Sequence, residues 1–258
     1  MDLGISGRKA IVCASSRGLG KACARYLAEA GCEVVVNGRD GKRLEETAAE
    51  LKKSGGKITA VVADVGTPDG QKALFAACPS PDILVNNNAG PPFRDFRELT
   101  RQQMIDGVTA NMVVAIELIQ KVIGPMSQRK FGRIVNITSG SVKMPLAGLD
   151  LSSGARAGLT AFLAGVARTV AADNITINNI LPGSFDTDRL RSNLKSNAQK
   201  TGKTEDEAAK ARIATIPARR FGEPDEFGAA CAFLCSAQAG YITGQNLLID
   251  GGVFNGAF

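Results

Sequence analysis

Histidine and tryptophan are both absent from the 258 residues, and tyrosine occurs only twice, at Tyr26 and Tyr241. Without histidine, Ser-His-Asp hydrolysis and imidazole acid/base chemistry are excluded. The six cysteines (Cys13, Cys23, Cys32, Cys78, Cys231, Cys235) contain no C-x-x-C pair and have no histidine to complete a mixed zinc set. Buried free thiols are expected instead, Cys231 and Cys235 included, since AACAFLC has the composition of ordinary core. Long apolar runs are lacking too. The opening stretch MDLGISGRKAIV is too polar for a signal peptide, and no later apolar run approaches the roughly 18–20 residues of a membrane span, so a cytoplasmic protein that uses no membrane is expected. The net charge of +6 is dispersed among acidic residues with no basic strip interleaved with aromatics. That pattern argues against a nucleic-acid partner, whereas an anionic small substrate or a phosphorylated cofactor suits it.

What is there is a regular alternation. Short β-branched runs at 9–14, 32–38, 58–64, 82–88, 133–138, 175–181 and 245–250 read as strands buried on both faces. Helical periodicity fills the spaces between them, as in GLGKACARYLAEAG, GKRLEETAAELKKSG and the long stretch from Thr100 to Arg129. The expected fold class is α/β: a Rossmann-type, doubly wound seven-stranded parallel sheet, with residues 1–258 forming a single domain. Residues 184–222 break the rhythm. They carry nine Lys or Arg against five Asp or Glu, and Thr204 with Glu207 has the spacing of a capping box. In open α/β sheets ligands lie beyond the carboxyl ends of the strands, so an excursion there is expected to cover the site as a lid.

The first strand runs into CASSRGLGKA, where Gly18 and Gly20 open a helix directly from a strand. Backbone N–H groups and a helix N-terminus can meet a pyrophosphate at such a junction. Together with NNNAG at 86–90, Asn111, NITS at 136–139, PGSFDT at 182–187 and YITGQNLLIDGG at 241–252, this loop resembles the classical short-chain dehydrogenase/reductase family, 3-oxoacyl-[acyl-carrier-protein] reductase-like, over essentially the whole chain. The resemblance implies a dinucleotide held by Ser15, Ser16, Arg17, Gly18, Leu19 and Gly20, with Ala14 standing where the family has its first loop glycine. It also implies cofactor contacts from Asp64 with Val65, from Asn87, from Pro182, Gly183 and Thr187, and from Arg156, which can hydrogen-bond the ribose hydroxyls in place of the family's lysine. The second strand ends in Asn37, Gly38 and Arg39, without the carboxylate that would accept the adenosine-ribose hydroxyls of NAD. Arg39 and Arg17 can clamp a 2′-phosphate, which favours NADP(H) over NAD(H). The alternative, NAD(H) with Asp40 at the ribose, competes with a simpler role for Asp40 as a helix cap.

In the family, an asparagine, a serine, a tyrosine and a lysine carry the chemistry. Asn111 and Ser139 match the first two. Thirteen residues past Ser139, at the tyrosine position, stands Ser152, and four further on, at the lysine position, stands Arg156. The AGL that follows keeps the register, and neither tyrosine lies near enough in sequence to substitute. An aliphatic hydroxyl is a far weaker acid than a phenol, and arginine passes on no proton. Four explanations are open: a water held by Ser152, with Arg156 stabilising an oxyanion; another acid such as Asp150, Ser141 or Lys143; a substrate that carries its own acid; or dinucleotide binding without redox turnover. The expected function is interconversion of a small-molecule carbonyl and a secondary alcohol by hydride transfer. The competing class is a binding or scaffold protein on the same fold. The basic excursion and Lys143 lean towards an anionic substrate. The resemblance further implies a homotetramer, or a homodimer. One interface would form through the long helix from Thr100 with the helix at 152–172, another through the last strand and the tail.

Overall fold

The structure is a computed structural model that describes residues 2–91 and 93–256. Each β-branched run is separated from the next by a helix long enough to cross back over the sheet, so the strands pair in parallel. In chain order these are β1 (Lys9–Val12), β2 (Glu33–Gly38), β3 (Lys57–Val62), β4 (Ile83–Asn86), β5 (Gly132–Ile137), β6 (Ile175–Pro182) and β7 (Asn246–Ile249). They form one seven-stranded sheet in the order β3-β2-β1-β4-β5-β6-β7. The reversal between β1 and β4 is the switch point at which such sheets open a ligand crevice.

The helices form two layers. On one face α1 (Gly18–Glu29), α2 (Gly41–Lys53) and α9 (Pro224–Leu234) bury Leu27, Leu44 and Phe227 against Val12, Val36 and Val135. On the other, α3 (Pro68–Ala77), α5 (Val114–Arg129) and α6 (Asp150–Val170) bury Leu74, Leu118, Val122 and Leu159 against Ile11, Leu84 and Ile134. Asp40 caps α2, its carboxylate accepting from the Arg43 N–H at 3.1 Å, as its position before the helix predicts. All six cysteines are buried and free.

Two expectations are corrected. The runs at 58–64 and 245–250 are not buried on both faces, because β3 and β7 are the sheet's edges and each has a neighbour on one side only. The stretch from Thr100 to Arg129 is not one regular helix: α4 (Arg101–Val108) passes through a π-helical turn at Thr109–Val113 before continuing as α5. That continuity gives Arg101–Arg129 the length and composition to cross a membrane, although no single apolar run in it does. Here its apolar stripe of Val114, Leu118, Val122 and Met126 packs into the core. Met104, Ile105 and Val108 of this helix stand exposed, with Phe162 of α6. The excursion at 184–222 folds into α7 (Asp188–Thr201) and α8 (Glu205–Ala214), and Thr204 with Glu207 forms the expected capping box at the start of α8.

Candidate active site

Two loop clusters meet at the carboxyl ends of the strands. The first follows β1. Ala14 occupies the left-handed region at φ 44°, where a glycine would be unstrained. Its N–H donates to Asn37 Oδ1 at 3.3 Å and its carbonyl accepts from Asn87 Nδ2 at 3.1 Å. Ser15 is fully buried, its hydroxyl donating to the Val12 carbonyl at 2.7 Å and accepting from the Asn37 N–H at 2.9 Å. The turn is therefore pinned to β2 and to the segment after β4. A Cβ on Gly20 would lie 2.5 Å from the Ala14 carbonyl oxygen, so only glycine lets α1 start this close to the strand. Leu19 packs into the core beside it. Arg17 is the N-cap residue of α1 but makes no side-chain cap, which leaves first-turn N–H groups for an anion.

These groups border an open groove of about 490 Å³ lined by Ser16, Arg17, Gly18, Lys21 and Thr47, with Thr187 opposite. A Cβ on Gly18 would touch the Thr187 side chain at 3.5 Å. Thr187 caps α7 by accepting from the Leu190 N–H, and Pro182 ends β6. Gly183 passes so close to Asp250 that a Cβ would lie 2.7 Å from its Cα. Arg39 lies 3.6 Å from Asp64, and Arg17 lies 3.7 Å from Asp188, so both are loosely held and mostly exposed. Asp64 also accepts from the Gly66 N–H, while Val65 turns into the core. The cradle has what a phosphorylated dinucleotide needs: a close-approach glycine loop, an uncapped helix N-terminus and guanidinium groups on two flanks.

The second cluster lies across the switch point. Asn111 falls within the π-helical turn, a distortion that often marks function. Its Nδ2 donates to the Gly107 carbonyl at 3.0 Å, while its buried Oδ1 has no partner among the described residues. A chain of amides runs beneath it across four strands in register. Asn86 Nδ2 donates to Asn136 Oδ1 at 2.8 Å, Asn136 to Asn179 at 3.0 Å, and Asn179 to Asn246 at 2.8 Å. Asn86 Oδ1, at the end of this chain, is also buried without a partner. Both asparagines line a cavity of about 20 Å³ together with Arg156. A polar cavity of that size can hold one water.

Ser139 follows β5 and accepts from the Ser141 N–H at 3.1 Å and the Ser141 hydroxyl at 2.9 Å. Ser152 lies in the first turn of α6 and Arg156 one turn on, both buried. Arg156 Nε donates to Ser152 Oγ at 3.3 Å, and its Nη1 donates to the Ile137 carbonyl at 2.8 Å. Burial, and then the positive charge of Arg189, pull the Arg156 guanidinium down to about 10, which leaves it cationic at neutral pH. Of the alternative acids, Ser141 alone has a hydrogen bond to a predicted catalytic residue. Asp150 is exposed and accepts from the Gly148 N–H, and Lys143 lies over the Phe254 ring. Tyr26 packs in α1 and Tyr241 is fully exposed, so neither joins the cluster.

Arg189 escaped the sequence reading, and Gly90 entered it only as the end of NNNAG. A Cβ on Gly90 would lie 3.0 Å from Arg189 Nη2 and 3.6 Å from Arg156 Nη2. The charge excess of 184–222 marked the segment but not this residue within it.

The family model described as enoyl-(acyl carrier protein) reductase matches residues 13–254. The chain is 31% identical to the 3-oxoacyl-[acyl-carrier-protein] reductase FabG of Vibrio cholerae, over 98% of this chain and 99% of that protein. Among solved structures, L-sorbose reductase from Gluconobacter frateurii, complexed with NADPH and L-sorbose, superposes with a TM-score of 0.93 at 29% identity, covering 99% of this chain and 100% of that one. A variant of the actinorhodin polyketide ketoreductase, solved with NADPH, gives 0.92 at 28% identity over 97% and 98% of the two chains. By fold, loop architecture and full-length similarity, the chain belongs to the short-chain dehydrogenase/reductase family of oxidoreductases.

Proposed function

We propose that this protein is an NADP(H)-dependent ketoreductase that interconverts a small-molecule carbonyl and a secondary alcohol, with its proton delivered through Ser152 instead of a phenol. The observation that carries this reading is the Arg156 Nε–H donated into Ser152 Oγ at 3.3 Å. A permanent cation donating to a hydroxyl oxygen makes that hydroxyl a stronger donor and leaves its own proton for a neighbouring oxygen. Bound NADPH supplies the hydride. Arg156 and Ser152 stabilise negative charge on the substrate oxygen, and Ser139 orients that oxygen. Asn111, Asn86 and Arg156 border the cavity through which water restores the proton.

Arg39 and Arg17, with no carboxylate at Asn37, support NADP(H) over NAD(H), as do relatives crystallised with NADPH. Ser15, Ser16, Gly18, Leu19, Gly20, Asp64, Val65, Asn87, Pro182, Gly183 and Thr187 complete the cofactor contacts. In this reading α7 and α8 act as a lid. The exposed Met104, Ile105 and Phe162 provide one face of a homotetramer, or of a homodimer, working in the cytoplasm. The missing phenol favours one competing function, dinucleotide binding without turnover. Loss of a general acid costs about 10² to 10⁴ in rate, equivalent to about 3 to 5 kcal/mol of barrier.

One assay separates the two. The purified protein is mixed with NADPH and a panel of ketones, oxo acids and 3-oxoacyl thioesters, alongside the Ser152→Tyr/Arg156→Lys double variant. The ketoreductase reading expects NADPH oxidation above buffer by the wild type. Tight NADPH binding with no oxidation by the wild type on any substrate refutes it, and turnover by the double variant alone would identify the proton as the missing component.

A further inference from the structure

A guanidinium buried without a counter-charge is costly, and the fold normally compensates it. Arg133 is 1% exposed and has no carboxylate partner, yet its guanidinium donates to the Ser236, Gly132 and Asn174 carbonyls and to Asn174 Oδ1. Among the described residues the guanidinium of Arg156, 9% exposed, has only Ser152 Oγ and the Ile137 carbonyl. A second cation is directed at it. Arg189 Nη2 and Arg156 Nη2 both lie within 3.6 Å of one point, the position a Cβ would take on Gly90. Among the described residues neither guanidinium lies within ion-pair distance of a carboxylate. The two acids flanking Arg189 in sequence are already committed: Asp186 pairs with Arg191 at 2.8 Å, and Asp188 with Arg43 at 2.9 Å.

Arg156 is a buried cation without a counter-ion among the described residues, and Arg189 brings a second guanidinium to the same glycine, so one anion can be held by both; a planar carboxylate matches the donor forks of arginine. The anion does not come from the dinucleotide's phosphates as this fold places them. The groove at the glycine loop is lined by Arg17, Lys21 and Arg43 and includes neither Arg156 nor Arg189. Arg156 instead contacts Ser152, where the carbonyl is to be reduced. Resting on the ketoreductase reading above, we propose that Arg156 and Arg189 clamp a carboxylate of the substrate over Gly90, so that the substrate is an oxo acid and not a neutral ketone or sugar.

The test is calorimetric titration with oxalate, and with the neutral isostere oxamide, of the protein both alone and saturated with NADPH. Wild type is compared with Arg189→Leu, which removes an exposed side chain, and with Gly90→Ala, which keeps both charges but places a methyl between them. The clamp expects oxalate to bind and oxamide not to bind. It further expects oxalate affinity to fall at least tenfold in both variants, with NADPH affinity unchanged within twofold. Absence of oxalate binding to the wild type, or equal oxalate binding by wild type and Arg189→Leu, overturns it. So does a loss of NADPH affinity in Arg189→Leu as large as the loss of oxalate affinity, which would assign the anion to the cofactor. Oxalate binding by a protein that fails to bind NADPH would uphold the clamp while refuting the ketoreductase reading.

Discussion

Arg156→Lys is the perturbation whose outcome the structure specifies most closely. Burial, helped by Arg189, pulls the wild-type guanidinium down to about 10. That displacement corresponds to about 3 kcal/mol against the charged form. A lysine held in the same surroundings starts from an ordinary value of about 10.4, so the same penalty brings it to roughly 8. The substitution therefore moves a titration from above the accessible range into the middle of it. For a base whose native pKa is lowered, the unfolded chain binds more protons between the two pKa values, and stability rises with pH only within that window. For Arg156 the window opens near 10, and wild-type stability gains nothing from this group between pH 6 and 9. For the lysine it opens near 8, and integration to pH 9.5 gives the variant about 2 kcal/mol of stability relative to pH 7.

The assay is urea unfolding at half-unit intervals from pH 6 to 9.5 for wild type, Arg156→Lys and Arg156→Met, with NADPH affinity measured by fluorescence at each pH. Relative to the wild type, the lysine variant should gain stability as pH rises through about 8. Over the same range it should lose up to about tenfold in any cofactor contact that depends on the positive charge. The methionine variant has nothing to titrate and should follow the wild type in slope. The buried thiols act on all three proteins alike: burial pushes Cys13 and Cys32 up to about 12, so ionisation of thiols in the unfolded chain at about 8.5 lowers stability as pH rises in wild type and variants together, and the signal is the difference from wild type. A lysine variant whose stability runs parallel to the wild type up to pH 9.5 would refute the claim that Arg156 is a buried cation without a counter-charge.

Two further substitutions test the cofactor loop. Ala14→Gly removes the left-handed strain at φ 44°, which costs an alanine about 1–2 kcal/mol. Glycine's extra unfolded-state entropy offsets about 0.4–1 kcal/mol of that gain, so thermal melts should show a rise of about 1–3 °C, and a lower melting temperature would show that the turn is not strained. Arg39→Ala should weaken NADPH binding about tenfold by removing one charge-assisted contact worth about 1.5 kcal/mol, and leave NADH binding unchanged. Equal weakening of both would remove Arg39 from the 2′-phosphate site.

What was legible in the sequence tracks what is local. The central strands could be read because burial on both faces makes them continuous apolar runs, and the glycine loop because Gly18 and Gly20 sit where backbone geometry demands them. The edges were misread, since the composition of β3 and β7 does not record which strands have a neighbour on only one side. The π-helical turn was invisible because Thr109–Val113 has ordinary helical composition and the register shift exists only in three dimensions. Each asparagine of the cross-sheet chain is visible in its own strand, but that they form a chain follows from sheet order and register. The departures at Ser152 and Arg156 were plain in one dimension and read there as two losses, a phenol and an ammonium. In three dimensions they are one arrangement. Arginine reaches the serine oxygen and the Ile137 carbonyl together, and still presents Nη2 to the point over Gly90 where Arg189 converges. A lysine at this place is a single point charge that could not serve all three directions with fixed geometry. The exchange to serine and arginine therefore gives up a titratable acid and gains a rigid, permanently charged fork, an arrangement suited to holding an anion beside the reacting carbon.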